Sequence, residues 1–254
     1  MSAPIAVQLY TFRREPDLPT VLRRVADMGY LGVETAGLHD MDPAEFRALA
    51  ADLGLTVVSA HSHLPIGAQA DEILDAHEAA GVDRIVVSLM PDRWRSRDEV
   101  LRAADDFNEG FAQAQARGVA LGYHNHFWEL GDVDWASCPF DVFLERVVPD
   151  AFFEVDVYWV ASAGRSPAEL LSRLGDRVRL MHVKDGPPWT PSAGPLPGLL
   201  PVGAGCIDIG AAVAAAPAVE WHIVELDECA TDTFEAVSDS YAFLTRSGFS
   251  RGRT

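Results

Sequence analysis

Residues 119–126 read Val-Ala-Leu-Gly-Tyr-His-Asn-His, an apolar run that leads directly into two histidines. Alternate side chains of a β-strand share a face, so His124 and His126 point the same way as the small residues Ala120 and Gly122. The bulky residues of the run then occupy the opposite face. This pattern is typical of a strand whose bulky side packs on helices and whose small side leads to a polar pocket.

Three later apolar stretches also stop at a histidine or an acidic residue. They are Phe152 to Asp156, Val178 to His182, and His222 to Glu225. Four successive strands that end in this fashion predict one metal site, assembled at one end of a barrel.

Strand and helix patterns alternate eight times along the chain, as expected of a parallel sheet. Eight such units in 254 residues match the size of one barrel, and no change of composition marks a domain boundary. We therefore predict an α/β fold, a single (β/α)8 TIM barrel spanning residues 1–254. The main rival is an open doubly wound sheet, but no GxGxxG follows the first strand and no P-loop is present.

The expected elements follow from hydrophobic periodicity and from Gly, Pro and N-cap residues. Strands are expected at 5–9, 31–34, 56–61, 84–89, 119–125, 152–155, 178–183 and 220–225. Helices are expected at 17–28, 42–54, 69–80, 96–116, 139–147, from 166 onward, at 207–216 and at 231–246. The segment 186–205 is rich in Pro and Gly and is long for a connection, which predicts an active-site loop. The basic tail after Gly248 is expected to fray.

Bulk composition limits the partners. The net charge of −18 repels nucleic acid and anionic membranes, and no run of Lys or Arg offsets it. Three scattered cysteines (Cys138, Cys206, Cys229) make neither a disulfide framework nor a CxxC metal site, which favours a reducing, cytoplasmic setting. We see no signal peptide and no stretch near the roughly 20 apolar residues of a membrane helix, so we expect a soluble protein. A homo-oligomer is compatible with the sequence.

Polar residues cluster at or just past the predicted strand ends, where such barrels place their chemistry. They are Glu34, His61, His63, His124, His126, Asp156, His182, Lys184 and Glu225. One histidine in such a place is most often a satisfied polar group at the edge of the core. The series His, Asp, His, Glu on consecutive strands instead favours a metal, held by His124, Asp156, His182 and Glu225.

The ligand chemistry of this series selects the ion. Two imidazoles and two carboxylates suit one Mn, Fe, Co or Zn ion better than Mg or Ca, which prefer oxygen shells. A metal with open positions holds neighbouring oxygens of a hydroxy-ketone and stabilises the enediolate that forms when an adjacent proton is lost.

The sequence resembles the xylose-isomerase-like TIM barrels, in the group of sugar phosphate isomerases and epimerases. The resemblance covers essentially the whole chain and lies in these motifs: Val7-Gln8-Leu9-Tyr10-Thr11, Gly32-Val33-Glu34, Tyr123-His124-Asn125-His126, Asp156 with Trp159, His182-Val183-Lys184-Asp185, Gly203-Ala204-Gly205-Cys206-Ile207-Asp208 and Val224-Glu225-Leu226-Asp227. It implies one divalent metal held by ligands from strands five to eight, which here are His124, Asp156, His182 and Glu225.

The sequence departs from this family at two positions. Many relatives carry a glutamate where His124 stands, and some carry a histidine where Trp159 stands. Two-base epimerisation is therefore in question, and the motifs look more like relatives that act on keto-inositols and 3-keto-sugars, including dehydratases and lyases.

The residues receive the following expected roles. Glu225 or His124 moves the proton next to a carbonyl, while Lys184 and His126 assist at oxygen; an ion pair is an equal alternative for Lys184. Substrate contacts are assigned to Glu34, His61 and His126, with a supporting role behind the ligands as the alternative, and also to Trp159. Trp159, Trp128 and Phe12 are candidates for an apolar wall under a sugar ring. His39, His77 and His222 receive no role.

The leading hypothesis is a metal-dependent isomerase or epimerase of a sugar or keto-sugar. The runner-up is a dehydratase or lyase that begins with the same proton abstraction, acting on a keto-inositol or 3-keto-sugar. An endonuclease IV-like activity is disfavoured, because it needs three metals and a basic groove. A non-catalytic sugar-binding barrel stays open, since fold alone does not decide function. Gly203-Ala204-Gly205 lacks an accompanying arginine, which favours a substrate without phosphate.

Overall fold

The computed structural model describes residues 2–38, 40–136 and 138–253. Eight parallel strands close into a barrel, because β1 pairs with both β8 and β2. The strands are β1 (Ala3–Gln8), β2 (Gly32–Thr35), β3 (Thr56–His61), β4 (Arg84–Val87), β5 (Ala120–His124), β6 (Phe152–Asp156), β7 (Val178–Val183) and β8 (Trp221–Val224). The predicted single (β/α)8 barrel is confirmed.

Helices connect the strands and cover the outside of the barrel. They are α1 (Leu18–Met28), α2 (Pro43–Asp52), α3 (Ala70–Ala79), α4 (Arg97–Ala116), α5 (Pro139–Arg146), α6 (Val157–Ser162), α7 (Pro167–Leu174), α8 (Ile209–Ala215) and α9 (Thr233–Arg246). The sequence analysis did not predict α6, which follows β6 without a loop because the Asp156 carboxylate accepts the Trp159 backbone N–H and caps the helix. Within the described ranges, no helix combines the length and the apolar character needed to cross a bilayer.

The amino-terminal half of the barrel interior is apolar. Ala6, Val58, Val86, Phe152, Leu180 and Ile223 form one buried cluster there. The Phe152 ring lies directly against Gly122, where an added Cβ would sit 2.3 Å from a ring carbon. Gly122 is therefore required because the Phe152 ring leaves no room for a side chain. The apolar cluster, which we call the floor, lies beneath the polar residues of the barrel interior.

The outward faces of the strands pack on the helices, as the sequence pattern of β5 predicts. The Tyr123 ring contacts the rings of Phe140, Phe143, Phe107 and Trp94, with centroids 4.8 to 6.1 Å apart. Burial of such large side chains contributes roughly 25 cal/mol per Å² of apolar surface. This outer core fixes β5 and so aims His124 into the barrel.

The expectation of a frayed tail is wrong. Ser250–Arg251 forms a further strand, β9, paired with the start of β1. The backbone N–H of Arg253 donates to Gly29 O, and its guanidinium donates to the carbonyl oxygens of Leu53 and Gly54. These backbone and side-chain bonds, which no local sequence pattern announces, hold the tail on the barrel.

The long loop at 186–205 is tied down at both ends by one side chain. The buried Asp185 carboxylate accepts backbone N–H groups from Gly186, Gly203, Gly205 and Ile207, at 2.9 to 3.1 Å. A Cβ on Gly205 would lie 2.1 Å from Asp185 Oδ1, so only glycine permits this close approach. The segment between these two anchored ends carries Trp189 towards the carboxyl ends of the strands.

Candidate active site at the carboxyl ends of the strands

Polar residues occupy the barrel interior directly above the apolar floor. On β6 the inward face runs Phe152, Glu154, Asp156, so the polar residues continue the face that begins with the apolar one. The same succession gives Leu180 and His182 on β7 with Lys184 just past its end, and Ile223 on β8 with Glu225 and Asp227 just past its end. Since burial of an unpaired charge is costly, each of these groups must find a partner inside the barrel.

The rim cluster consists of Asp156, His182, Lys184, Glu225 and Asp227. Lys184 Nζ lies 2.9 Å from Asp156 Oδ2, 2.8 Å from Glu225 Oε2 and 2.5 Å from Asp227 Oδ2. Glu225 Oε2 also lies 2.9 Å from His182 Nδ1. One ammonium ion is thus enclosed by three carboxylates, and one of these also pairs with an imidazole.

The charges of the rim cluster stabilise one another. Burial alone would lower the pKa of Lys184, but the carboxylates of Asp156, Asp227 and Glu225 raise it well above its usual value. Burial would raise the pKa of Glu225, but Lys184 and His182 lower it well below the usual value. Burial raises the pKa of Asp156 to about 6, despite the opposing effect of Lys184. At neutral pH, Lys184 is therefore an ammonium and Glu225 a carboxylate.

The inner cluster lies between the rim cluster and the floor and consists of His61, His124, Glu154 and His182. Glu154 Oε1 lies 2.8 Å from His61 Nε2, 2.9 Å from His124 Nδ1 and 3.0 Å from His182 Nε2. Burial would raise the pKa of Glu154, but the charges of His182 and His61 lower it well below the usual value. Glu154 Oε2 is buried and has no hydrogen-bond partner among the described residues.

His182 links the two clusters through its two ring nitrogens. Nδ1 faces Glu225, while Nε2 lies 2.6 Å from Glu34 Oε2. Glu34 is itself held by 2.6 Å hydrogen bonds from the Gln8 amide and the Ser59 hydroxyl. Burial would lower the pKa of His182, but the surrounding carboxylates of Glu154, Glu225 and Glu34 raise it well above the usual value.

The two histidines of the stretch 119–126 are held in their neutral form. Burial lowers the pKa of His124 to about 3. Burial, together with the nearby His124 and Lys184, lowers the pKa of His126 well below its usual value. His126 Nδ1 is buried and has no hydrogen-bond partner among the described residues. A neutral imidazole thus offers an unused nitrogen inside the site.

The loop that carries His126 is fixed by a buried acid, Glu129. Its carboxylate accepts the His126 backbone N–H at 2.8 Å and the Tyr123 hydroxyl at 2.9 Å. Burial raises the pKa of Glu129 to about 8. Glu129 therefore connects the outer aromatic core to the position of His126.

Aromatic rings form one side of the site. The His126 ring stacks on the Trp128 ring, with centroids 4.2 Å apart. The Trp159 ring contacts those of Phe127 and of Trp189 from the long loop. Lys184 Nζ lies 4.8 Å from the Trp159 ring centroid. Trp159 Nε1 is buried and has no hydrogen-bond partner within the described chain, so it is a donor available to a ligand. Phe12, by contrast, packs on Phe234 of α9.

The structure brings the predicted site residues together in two groups. Asp156, His182 and Glu225 have ligand atoms within 4.8 Å of one another. His124 belongs instead to the inner cluster, which also shares His182. His61 belongs to the inner cluster and Lys184 to the rim cluster. Glu34 contacts the inner cluster, whereas His126 and Trp159 lie beside Lys184 of the rim cluster.

The histidines left without a role lie elsewhere. His77 contacts the Ser62 hydroxyl on the outside of the barrel mouth, and His222 contacts the Ser250 hydroxyl of β9. His39 lies outside the described residues.

Sequence reasoning missed Glu154 and Asp227 as members of the site. Both stand two residues from an identified residue, Asp156 and Glu225 respectively, and therefore on the same strand face. The alternation of side chains between the two faces of a strand would have indicated both residues. It would also have indicated Gln8, which follows the inward-facing Ala6 on β1.

The donor set fits a divalent metal ion. Asp156, Glu225 and His182 present two carboxylates and an imidazole at the open end of the barrel, the mixture that first-row divalent ions accept. Three carboxylates, those of Asp156, Glu225 and Asp227, surround the single ammonium ion of Lys184. The excess of negative charge within this network favours a further cation.

The family model of the xylose isomerase-like TIM barrel matches residues 22–226. The chain belongs to this family. No curated protein shows a significant match to it.

Solved structures share the fold at low sequence identity. A sugar phosphate isomerase/epimerase from Parabacteroides distasonis is 22% identical, with 99% of this chain and 96% of that chain covered and a TM-score of 0.83. An L-ribulose 3-epimerase is 15% identical, with 97% and 94% covered and a TM-score of 0.73. The IOLI protein with a bound zinc atom is 13% identical, with 97% and 96% covered and a TM-score of 0.71. The fold is thus that of known sugar isomerases and epimerases.

Proposed function

We propose that this protein is a divalent-metal-dependent isomerase or epimerase of a sugar or keto-sugar. The observation that supports it best is the position of the buried Glu225 carboxylate. It lies 2.8 Å from the Lys184 ammonium and 2.9 Å from the His182 imidazole. A base, an acid and a metal-binding nitrogen are thereby within reach of one small substrate.

Asp156, His182 and Glu225 are the residues proposed to hold the ion, with His124 as the further candidate ligand. When bound, a divalent ion supplies Lewis acidity to a carbonyl and a neighbouring hydroxyl oxygen. The carboxylate-rich rim cluster accepts Mn, Co, Fe or Zn, and Mg less well because of the imidazole. His182 is oriented for this role by Glu34, which contacts its second ring nitrogen.

Glu225 is the proposed base for the proton next to the carbonyl. Its pKa is lowered by Lys184 and His182, so the carboxylate stays ionised and ready to accept a proton at neutral pH. The neutral His124 lies deeper, with Nδ1 bound to Glu154, and is the alternative proton acceptor through Nε2.

Lys184 is the proposed acid and oxygen-binding group. Its ammonium carries three N–H donors, and its carboxylate partners keep it protonated. Movement of one proton from Lys184 Nζ to a substrate oxygen would be balanced by the proton that Glu225 takes up from the substrate carbon. His126 stands beside it as a second polar contact for the substrate.

The substrate is proposed to be an unphosphorylated carbohydrate, bound against the aromatic side of the site. Trp159 offers its ring face and its unpartnered indole N–H, and the loop residue Trp189 extends the aromatic surface. A phosphate group would be repelled by the excess of carboxylates in the rim cluster. The scattered cysteines support placement of this enzyme in the reducing cytoplasm.

A proton-exchange assay tests the proposal. Protein loaded with Mn²⁺ is incubated in D₂O with a panel of keto-sugars and inosose-type ketones, and NMR follows the loss of C–H signals next to the carbonyl. We expect exchange with at least one compound, lost in Glu225→Gln and retained in Glu220→Gln. Glu220 is the control because it directly precedes β8, at the end of the strand opposite to Glu225, and pairs with Arg84. Absence of exchange across the panel, or full exchange by Glu225→Gln, contradicts the proposal.

The same geometry supports a lyase as the second candidate. Glu225 and Lys184 lie side by side, so a proton removed at carbon and a proton given to a leaving oxygen would be exchanged on one side of the substrate. Loss of water or an alkoxide would then leave a conjugated enone. A rise in ultraviolet absorbance that accompanies the proton exchange distinguishes the lyase from the isomerase.

A further inference from the structure

The inner cluster has the composition of a ligand set in its own right. Three imidazole nitrogens, from His61, His124 and His182, converge on one oxygen of Glu154 at 2.8 to 3.0 Å. The four donor atoms lie within 4.8 Å of one another. The rings approach from three different strands: those of His61 and His182 are parallel, and that of His124 stands edge-on to both.

Hydrogen bonding alone leaves this cluster incomplete. Three N–H groups can donate to Glu154 Oε1, but Glu154 Oε2 is fully buried and has no partner among the described residues. A buried carboxylate oxygen without a donor is costly, and native structures rarely contain one. The unpartnered oxygen belongs to the residue at the centre of the three imidazoles.

We infer that the inner cluster is a second metal site, with His61 Nε2, His124 Nδ1, His182 Nε2 and Glu154 as ligands. A set of three nitrogens and one carboxylate suits Zn²⁺ or Co²⁺, which bind imidazole readily. The candidate ligands of the rim cluster, Asp156, Glu225 and His182, supply two carboxylates and one imidazole, so this site is richer in oxygen and suits Mn²⁺ better. The two sites therefore differ in the ion that they select.

The two sites compete for one residue. A neutral imidazole has one lone-pair nitrogen and one N–H. If His182 binds an ion in the rim cluster through Nδ1, its Nε2–H donates to Glu34; if it binds in the inner cluster through Nε2, its Nδ1–H donates to Glu225. Glu225 Oε2 lies 2.9 Å from Nδ1 and Glu34 Oε2 lies 2.6 Å from Nε2, so each tautomer of His182 has a hydrogen-bond acceptor. Occupation of the inner site by zinc withdraws His182 from the rim site.

Separate measurements of Mn²⁺ and Zn²⁺ affinity test this inference. Metal-stripped full-length protein is titrated with Mn²⁺, followed by electron paramagnetic resonance, and with Zn²⁺, followed by competition with a chromophoric chelator. The inner-site variants are His61→Gln and Glu154→Gln, and the rim-site variants are Asp156→Asn and Glu225→Gln. His77→Gln is the matched control, a histidine outside both clusters. His61 is the safest position to change, since about a fifth of its side chain is exposed.

We expect His61→Gln and Glu154→Gln to weaken Zn²⁺ binding by at least about tenfold, because loss of even an outer-shell partner of a metal costs about that much affinity. Mn²⁺ affinity should change little in His61→Gln, since the polar contacts of His61 are with Glu154 and Glu34. Asp156→Asn and Glu225→Gln should weaken Mn²⁺ binding and leave Zn²⁺ bound. Co²⁺ in the rim-site variants should still give the visible absorption of a nitrogen-rich site.

Two results overturn the inference. One is Zn²⁺ affinity that is unchanged in the inner-site variants. The other is Zn²⁺ affinity that falls in both sets of variants while circular dichroism shows folded protein, which indicates one shared site. Failure of the inner site leaves the proposed function intact if Mn²⁺ still depends on Asp156 and Glu225. Conversely, Zn²⁺ bound through His61 with no Mn²⁺ binding at all supports the inner site and contradicts the proposed function.

Discussion

Lys184 Nζ and Glu225 Oε2 lie 2.8 Å apart, and the lysine side chain has no exposed surface. Lys184 is also the only lysine among the 20 basic residues of the chain; all the others are arginine. An arginine guanidinium is always protonated and larger, whereas a lysine ammonium can give up a proton. The single lysine stands where one buried ammonium balances the carboxylates of Asp156, Glu225 and Asp227.

Replacement of this lysine should destabilise the protein in a pH-dependent way. In Lys184→Met the carboxylates of Asp156, Glu225 and Asp227 lose their shared cation, so we expect a loss of about 3–5 kcal/mol in the free energy of unfolding at pH 8. At pH 5 the loss should be smaller, because the unpaired carboxylates take up protons. Urea unfolding at both pH values measures this loss of unfolding free energy. An equal loss at both values would mean that packing, not charge, is responsible. Arg84→Met, which breaks a more exposed ion pair with Glu220, should cost about 0–1 kcal/mol.

Glu34 should control metal affinity although it is fully enclosed by protein. Glu34→Gln removes the charged partner that orients His182 through Nε2, and we expect the Mn²⁺ dissociation constant to rise by about 10–100-fold. Ser59→Ala removes one of the two hydrogen bonds to Glu34 and should have a smaller effect. Chelator competition gives both values. Equal effects in the two variants would show that His182 does not depend on the Glu34 charge.

Most of the fold was predictable because it depends on local periodicity. The strands at 56–61 and 178–183 occur with the predicted bounds, and the bounds of the other predicted elements shift by at most two residues. The presence of polar residues at the strand ends follows from the same pattern. Their grouping does not, because it depends on the register between strands: His124 of β5 lies level with Glu154 of β6, whereas Asp156 lies level with His182 of β7. For this reason the series His124, Asp156, His182, Glu225 divides between two clusters.

Other features were beyond the reach of the sequence. The pairing of β9 with β1 joins residues nearly 250 positions apart. It uses backbone hydrogen bonds, which do not require particular side chains. The burial of Glu154 was hidden by its apolar neighbours in the chain, although the period of two would have indicated it. Gly122 was interpreted only as a small residue on the pocket side, whereas its role depends on Phe152 from the next strand.

Asp185 should determine how firmly the loop at 186–205 is held. Asp185→Ala removes the acceptor for four backbone N–H groups, so we expect proteolytic cleavage within the loop to become at least about tenfold faster, which corresponds to about 1.4 kcal/mol of local opening. Mass spectrometry of timed digests identifies the cleavage sites. Asp208→Ala, which removes only the helix cap of α8, is the control. An unchanged cleavage rate in Asp185→Ala would show that other contacts hold the loop.

His222 should make stability depend on mild acid. Burial lowers its pKa from the ordinary value of about 6.5 to about 4, so the unfolded chain binds a proton more readily. Above pH 6.5 the histidine is neutral in both states and folded stability is highest. As the pH falls towards 4, protonation of the unfolded chain reduces the free energy of unfolding, by about 3 kcal/mol in all. Unfolding free energies at pH 7 and 4.5 measure the loss. His222→Gln should show a smaller difference between the two pH values, and an identical difference would contradict this role.

The pairing of β1 with β8 has a consequence for synthesis on the ribosome. Of the eight barrel strands, β1 leaves the exit tunnel first and its neighbour β8 leaves it last. The barrel therefore has an open seam, with the edge of Ile5 to Val7 unpaired, until residues 221–224 have emerged. Throughout translation this edge is available for pairing with other nascent chains, and chaperones that recognise extended apolar segments are expected to bind there.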